Sequence, residues 1–143
     1  MNTVSLILAI ILSAASAIHV YWAAGGKTGL TAAIPHTEDR PAFVPSRVVT
    51  LVVAFALLGI AVLMLSLSHF RSALTEPLFT TARYAAILVG AVFGLRVVGD
   101  FKLVGIFKKI KGSRFATLDT YVYNPLCLSF SVAFFTLARP GSG

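Results

Sequence analysis

The side chains of this chain that could carry chemistry are few: three histidines, five carboxylates and one cysteine among 143 residues. His19 lies near the end of the first apolar run and His69 at the end of the second. Because consecutive membrane-spanning helices run in opposite directions, the two rings should lie about a bilayer's thickness apart and cannot ligate one haem. The single cysteine, Cys127, excludes an intramolecular disulfide and a thiolate-rich metal site. The sequence therefore predicts no metal site and no cofactor, and no motif assigns a catalytic residue.

A pair of opposite charges stands at the end of the third apolar run. Arg96 lies about 5 Å inside that run at 1.5 Å per residue, where a charge is costly and usually faces protein or water. Asp100 follows four residues later, within reach across one helical turn. We expect an ion pair between Arg96 and Asp100 that holds the helix end. A cationic substrate-binding pocket around Arg96 is the alternative.

The composition decides what kind of protein must position these groups. Hydrophobic residues make up 57% of the chain, charged residues only 12%, and the mean hydropathy is +0.89, whereas soluble domains are about 25% charged. This is the composition of a membrane protein. The net charge of +7 comes with no nucleic-acid recognition module, so we expect no nucleic-acid partner and take anionic membrane lipids as the partner of the basic residues.

Four apolar runs are each close to the roughly 20 residues that a helix needs to cross the hydrocarbon. The sequence therefore predicts an all-α bundle of four transmembrane helices in a single integral membrane domain, residues 1–143. The predicted spans are residues 3–24, 48–68, 80–99 and 120–138.

The basic residues are distributed unevenly between the two sides of such a bundle. Nine of the twelve lie in or beside the loops 25–47 and 100–119, and the positive-inside rule places both loops in the cytoplasm. Both termini then lie outside the cytoplasm. We expect the protein to be in the inner membrane of a bacterium. The nine are Lys27, Arg40, Arg47, Arg96, Lys102, Lys108, Lys109, Lys111 and Arg114.

The segment 101–112 combines a basic and an apolar pattern. Leu103, Ile106, Phe107 and Ile110 recur at helical spacing with lysines on either side. This pattern predicts a short interfacial amphipathic helix between the third and fourth spans, with its lysines at anionic headgroups. Orientation and lipid anchoring alone would explain the segment, and a specific headgroup or phosphate pocket is the alternative.

A stripe of small residues marks the third span as a packing helix. Gly90 and Gly94 form a GxxxG pattern that Ala86 extends by one turn. A second helix can approach closely along such a face. We expect the third span to be central in the bundle.

Two stretches of the chain, "IHVYWAAGGKTGLTAAIP" and "FKLVGIFKKIKGSRFATLDTYVYNPLC", carry a resemblance to a known family. With His-x-Tyr-Trp, Gly-Gly, two Phe-Lys pairs, an Asp and Tyr-x-Pro-Leu-Cys, the chain resembles a family of small bacterial four-helix membrane proteins catalogued as a domain of unknown function. The resemblance covers nearly the whole chain. It implies a four-helix membrane fold and transfers no activity.

These observations give one site hypothesis and three hypotheses of function. We expect the protein to bind an anionic lipid headgroup or small amphiphile at its cytoplasmic interface, within a homo-oligomer or a larger membrane complex. The alternatives are a membrane-embedded enzyme acting on a lipid or quinone-like substrate, and an oligomeric channel or transporter subunit. Residues expected to converge on one cytoplasmic cleft are His19, Tyr21, Trp22, Lys102, Lys108, Asp119 and Tyr123; Arg96, Asp100 and Lys109 complete the binding candidates.

Overall fold

Four long apolar helical spans make up most of the computed structural model, which describes residues 2–37, 40–99, 101–109 and 112–139. All four are long and apolar enough to cross a membrane, as the sequence predicts, so the protein is a multi-pass membrane protein with an all-α fold. The spans are α1 (Asn2–Ala23), α3 (Arg47–His69), α4 (Glu76–Val98), and a last span in which α5 (Arg114–Leu118), a π-helical turn (Asp119–Tyr123) and α6 (Asn124–Leu137) follow one another.

The remaining elements are short. Helix α2 (Leu30–Ala33) and two antiparallel two-residue strands, β1 (His36–Thr37) and β2 (Arg40–Pro41), lie between α1 and α3. A 3₁₀ turn, Arg71–Ala73, connects α3 to α4.

Local signals set where several helices begin. The Val49 N–H donates to Ser46 Oγ (3.3 Å) at the start of α3, and the Ala116 N–H donates to Ser113 Oγ (3.0 Å) at the start of α5. Both serines satisfy an N–H that has no partner inside the helix. Pro77 occupies the first turn of α4, where its missing N–H costs nothing.

Consecutive spans run antiparallel, with α1 packed mainly on α3 and α4 mainly on α6. Hydrogen bonds fix both pairs: Ser16 Oγ donates to the Ala54 carbonyl (2.7 Å) and Ser131 Oγ donates to the Gly90 carbonyl (2.8 Å). The start of α1 and the end of α6 therefore share one end of the bundle, which we call the terminal end. The connections 24–46 and 99–113 share the other, which we call the loop end.

The small-residue stripe of α4 lies against α6. Ala86 and Gly90 are buried, and a Cβ on Gly94 would lie 3.2 Å from Ser131 Oγ. Close approach of the two backbones is what allows Ser131 to reach the Gly90 carbonyl. The core continues from this seam through Leu12, Met64 and Phe134, which are fully buried.

The described residues 101–109 are not helical, so the interfacial helix predicted over 101–112 is wrong for this part of the segment; Ile110 and Lys111 lie outside the described residues. Gly99 and Gly105 have φ of 84° and 90°, a region that breaks a helix and favours glycine. The loop folds back onto α4, where the Ile106 N–H donates to the Val97 carbonyl (2.9 Å). The apolar spacing favours a helix here, but the glycines reverse the direction of the chain and prevent one.

The last span begins at Arg114 rather than near residue 120, and it contains Pro125 in its interior. Proline has no N–H, and its ring collides with the carbonyl four residues earlier in a regular helix. The π-helical turn precedes it, with the Asn124 N–H donating to the Asp119 carbonyl, a spacing of five residues. The wider turn carries the chain past the proline without ending the helix.

Candidate functional site

A fully buried carboxylate, Asp119, lies at the loop end, where the π-helical turn begins. Its Oδ1 accepts a hydrogen bond from Arg96 Nη2 at 2.6 Å, and its Oδ2 accepts one from Lys108 Nζ at 2.9 Å. We call the Arg96, Lys108, Asp119, Asn124 and Gly105 group the Asp119 cluster. It joins the last turn of α4, the loop 99–113 and the last span.

The Lys108 side chain is buried within the Asp119 cluster. Its side chain is 4% exposed, and its ammonium donates to Asp119, to Thr120 Oγ1 (2.6 Å) and to the Gly105 carbonyl (3.3 Å). An ammonium has three N–H donors, so all are used. The sequence predicts a contact of Lys108 with lipid headgroups, whereas in this structure its charge points into the protein.

Backbone and amide groups complete the shell of the carboxylate. The Gly105 N–H donates to Asp119 Oδ2 (3.0 Å), and Asn124 Nδ2 approaches the same oxygen at 3.5 Å. Asn124 Oδ1 in turn accepts from Arg96 Nη1 at 3.4 Å. Asp119 thus accepts four hydrogen bonds, and a carboxylate held in this way is a fixed structural anion rather than a base waiting for a proton.

Two glycines allow the loop to place the Gly105 N–H beside Asp119. A Cβ on Gly105 would lie 2.5 Å from the Gly99 Cα, and one on Gly99 would meet the Val104 carbonyl. Only residues without a side chain allow this crossing. The close approach of the two backbones places both the Gly105 N–H and Lys108 against Asp119.

Arg96 bonds to a partner that helical spacing does not indicate. Asp100, the expected partner, lies outside the described residues, and Arg96 bonds to Asp119 across 23 positions of sequence. The signal that points to Asp119 is its place before an apolar run: an acid at membrane depth needs a cation close by. Asn124 and Gly105 carry no comparable signal.

A second feature of the loop end is a cavity of about 600 Å³, which we call the aromatic cavity. Trp22 Nε1 donates to the Thr28 carbonyl (2.9 Å), and the Tyr21 hydroxyl donates to Thr28 Oγ1 (3.1 Å). The Tyr123 hydroxyl donates to the Ala32 carbonyl (3.1 Å), tying the last span to α2. The cavity is lined by Ile18, Tyr21, Trp22, Thr28, Gly29, Ala32, Ala33 and Tyr123.

His19 faces a neighbouring, smaller cavity of about 200 Å³ that Trp22 also lines. Its Nδ1 lies 2.8 Å from the Ala15 carbonyl, and its ring packs edge-on against Trp22 with centroids 5.0 Å apart. The ring is thus held by its own helix and by Trp22.

The residues expected to share one cleft are divided among four places at the loop end. Tyr21, Trp22 and Tyr123 line the aromatic cavity, and His19 lines the smaller one. Lys108 and Asp119 are in the Asp119 cluster. Exposed surface of the loop carries Lys102 and Lys109. In the part of the chain that the structure describes, no three His, Cys, Asp or Glu side chains gather as a metal site would require.

Among the described residues, the loop end therefore gathers two cations around one buried carboxylate. Residues 12–134 match the family described as "Protein of unknown function (DUF3995)". No curated protein and no solved structure matches the chain.

Proposed function

Because the chain belongs to the family of proteins of unknown function named DUF3995, we propose its function from the geometry of the loop end. The protein binds an anionic lipid headgroup, or a small amphiphile that carries an anionic group, at this end of the bundle. Both ligands share one chemistry, a phosphate or carboxylate that meets an arginine at the edge of the hydrocarbon.

The observation that carries the proposal is the charge balance of the Asp119 cluster. Among the described residues two cations, Arg96 and Lys108, share one carboxylate, which leaves an excess positive charge in the Asp119 cluster. Lys108 is 4% exposed but Arg96 is 30% exposed. Of the five N–H donors of a guanidinium, Arg96 uses one on Asp119 and one on Asn124. The excess charge therefore lies on a side chain whose contacts with the described residues leave donors for an anion.

The surroundings favour the same ligand. Lys102, Lys109 and Arg114 are exposed at the loop end, and each such cation contributes on the order of 1 kcal/mol near an anionic surface. The aromatic cavity adds Tyr21 and Trp22, side chains of the type that settles at the headgroup level of a bilayer. The amphiphile's polar part would lie at the cations and its apolar part beside the rings.

The orientation is part of the proposal. The basic residues concentrate in the two loops that meet at the loop end, so the positive-inside rule directs this end to the cytoplasm of a bacterial cell. Both termini then lie outside. The ligand would come from the cytoplasmic leaflet of the inner membrane, where anionic lipids attract such loops.

Native mass spectrometry of the detergent-purified protein tests the proposal, with phosphatidylglycerol and phosphatidylcholine offered at equal concentration. We expect the protein to retain phosphatidylglycerol preferentially. Arg96→Gln should reduce the retained fraction about tenfold, because a charge-assisted hydrogen bond of roughly 1.5–3 kcal/mol is lost. Arg139→Gln removes an exposed charge after α6 and serves as the matched control.

Because Arg96 also holds Asp119, a second variant separates binding from folding. Lys109→Gln with Arg114→Gln changes only exposed residues and should weaken retention in a salt-dependent manner. Displacement of the lipid by dodecyl phosphate would identify a single-chain amphiphile as sufficient. Equal retention of both lipids, unaffected by either variant, contradicts the proposal.

A further inference from the structure

An apolar groove runs between α1 and α6 at the terminal end, opposite the Asp119 cluster. Its volume is about 480 Å³. Leu8 and Leu137 belong to the buried core and form part of its floor. The groove is lined by nine residues, Val4, Ser5, Leu8, Leu128, Ser129, Val132, Ala133, Thr136 and Leu137.

The hydroxyl groups at the groove do not make it a polar site. Ser129 Oγ donates to the Pro125 carbonyl (2.9 Å), and Thr136 Oγ1 donates to the Val132 carbonyl (2.6 Å). Both bonds return to the side chain's own helix, and Ser5 is buried with a partner of its own. An occupant therefore meets an apolar wall that needs no hydrogen bond from it.

We propose that this groove holds one acyl chain of a phospholipid from the leaflet at the terminal end. The groove follows α6 from Leu128 to Leu137, a rise of about 14 Å at 1.5 Å per residue. This is close to half of the roughly 30 Å hydrocarbon thickness. A groove of this length at one end of the bundle matches a chain from one leaflet.

The size of the groove favours a lipid over a second copy of the protein. A stable interface between two proteins uses about 20–30 residues on each side, whereas nine line this groove. Both walls also lie within helices long and apolar enough to cross the membrane, so acyl chains are the medium around it.

The charges nearby are complementary to a phosphate. Arg83 lies seven residues after the start of α4, about 10 Å into that helix. Its Nε donates to the carbonyl of Ala138 (2.7 Å), directly after Leu137 in the groove wall. Among the described residues no carboxylate forms an ion pair with Arg83. A cation at this depth is costly, and the phosphate of the same lipid would neutralise it.

Photo-crosslinking tests the inference, using phosphatidylglycerol with a diazirine at mid-chain in vesicles of phosphatidylcholine. We expect label to concentrate on residues 4–8 and 128–137. Ala133→Phe and Ser129→Phe fill the groove at two positions and should each lower this label about tenfold, because the chain loses its buried apolar contact. The control, Ala56→Phe, adds the same ring at an exposed position of α3 and should leave the label unchanged.

Further outcomes separate this site from the one at the loop end. Arg83→Gln should reduce the groove label, whereas Arg96→Gln should leave it intact, even if the proposed function fails. Label spread evenly over exposed residues of α3 and α4 overturns the inference. So does groove label that survives both phenylalanine variants.

Discussion

Arg96 Nη2 lies 2.6 Å from Asp119 Oδ1 and joins the last turn of α4 to the π-helical turn of the last span. The carboxylate is fully buried and also accepts a hydrogen bond from the Lys108 ammonium. An ionised group in such a place is tolerated only when it is paired and hydrogen-bonded. The contact therefore fixes the loop end of the bundle, and its removal should be felt in both stability and ligand binding.

Asp119→Asn should destabilise the protein strongly. The substitution keeps the shape but leaves two cations without their anion, and breaking a buried pair in this way costs about 3–5 kcal/mol. Thermal unfolding in detergent, followed by circular dichroism, measures the change. Glu76→Gln, at an exposed acid in the first turn of α4, should melt close to the parent protein. An Asp119→Asn protein that melts with the parent would show that the ion pairs contribute nothing.

Two neighbouring lysines should respond differently to the same substitution. Lys108→Met removes a buried partner of Asp119 and should lower the melting temperature clearly, since the loss is about 3 kcal/mol or more. Lys109→Met changes an exposed side chain and should stay within about 0.5 kcal/mol of the parent. Equal melting temperatures for the two variants would be incompatible with a buried Lys108.

Gly105→Ala should loosen the attachment of the loop to α4. Its φ of 90° costs a residue with a side chain roughly 1–2 kcal/mol, and its Cβ would lie 2.5 Å from the Gly99 Cα. Faster amide hydrogen exchange at Ile106, whose N–H bonds to the Val97 carbonyl, would report the change. Gly59→Ala, in α3 with open space around its Cβ position, should be neutral or stabilising by up to about 1 kcal/mol. Unchanged exchange in Gly105→Ala would refute the tight crossing.

The two ends of the bundle should be accessible from opposite sides of the membrane. In a Cys127→Ser background, Lys109→Cys should react with a membrane-impermeant maleimide only in inverted vesicles. Ser72→Cys, in the exposed connection at the terminal end, should react only in intact spheroplasts. The basic loops predict this orientation, and labelling of both positions from one side would exclude it.

The aromatic cavity contains residues whose proximity could be predicted from the sequence. The sequence grouped Tyr21, Trp22 and Tyr123 at one interface, and all three line one cavity. It did not separate them from Lys108, because burial of an ammonium depends on three acceptors that come together only when the loop folds back. From the sequence, a lysine beside apolar residues is predicted to lie at the surface unless its acceptors are known.

The four spans follow from the amino-acid sequence alone, because an apolar run of about 20 residues must satisfy its backbone hydrogen bonds internally and so becomes a helix. That argument is local and needs no knowledge of neighbours. Two features needed the folded chain: Arg96 bonds to Asp119, and residues 101–109 form a loop. The first outcome depends on the packing of α4 against the last span and the second on the crossing of Gly99 and Gly105, and no periodicity encodes these contacts between separate parts of the chain.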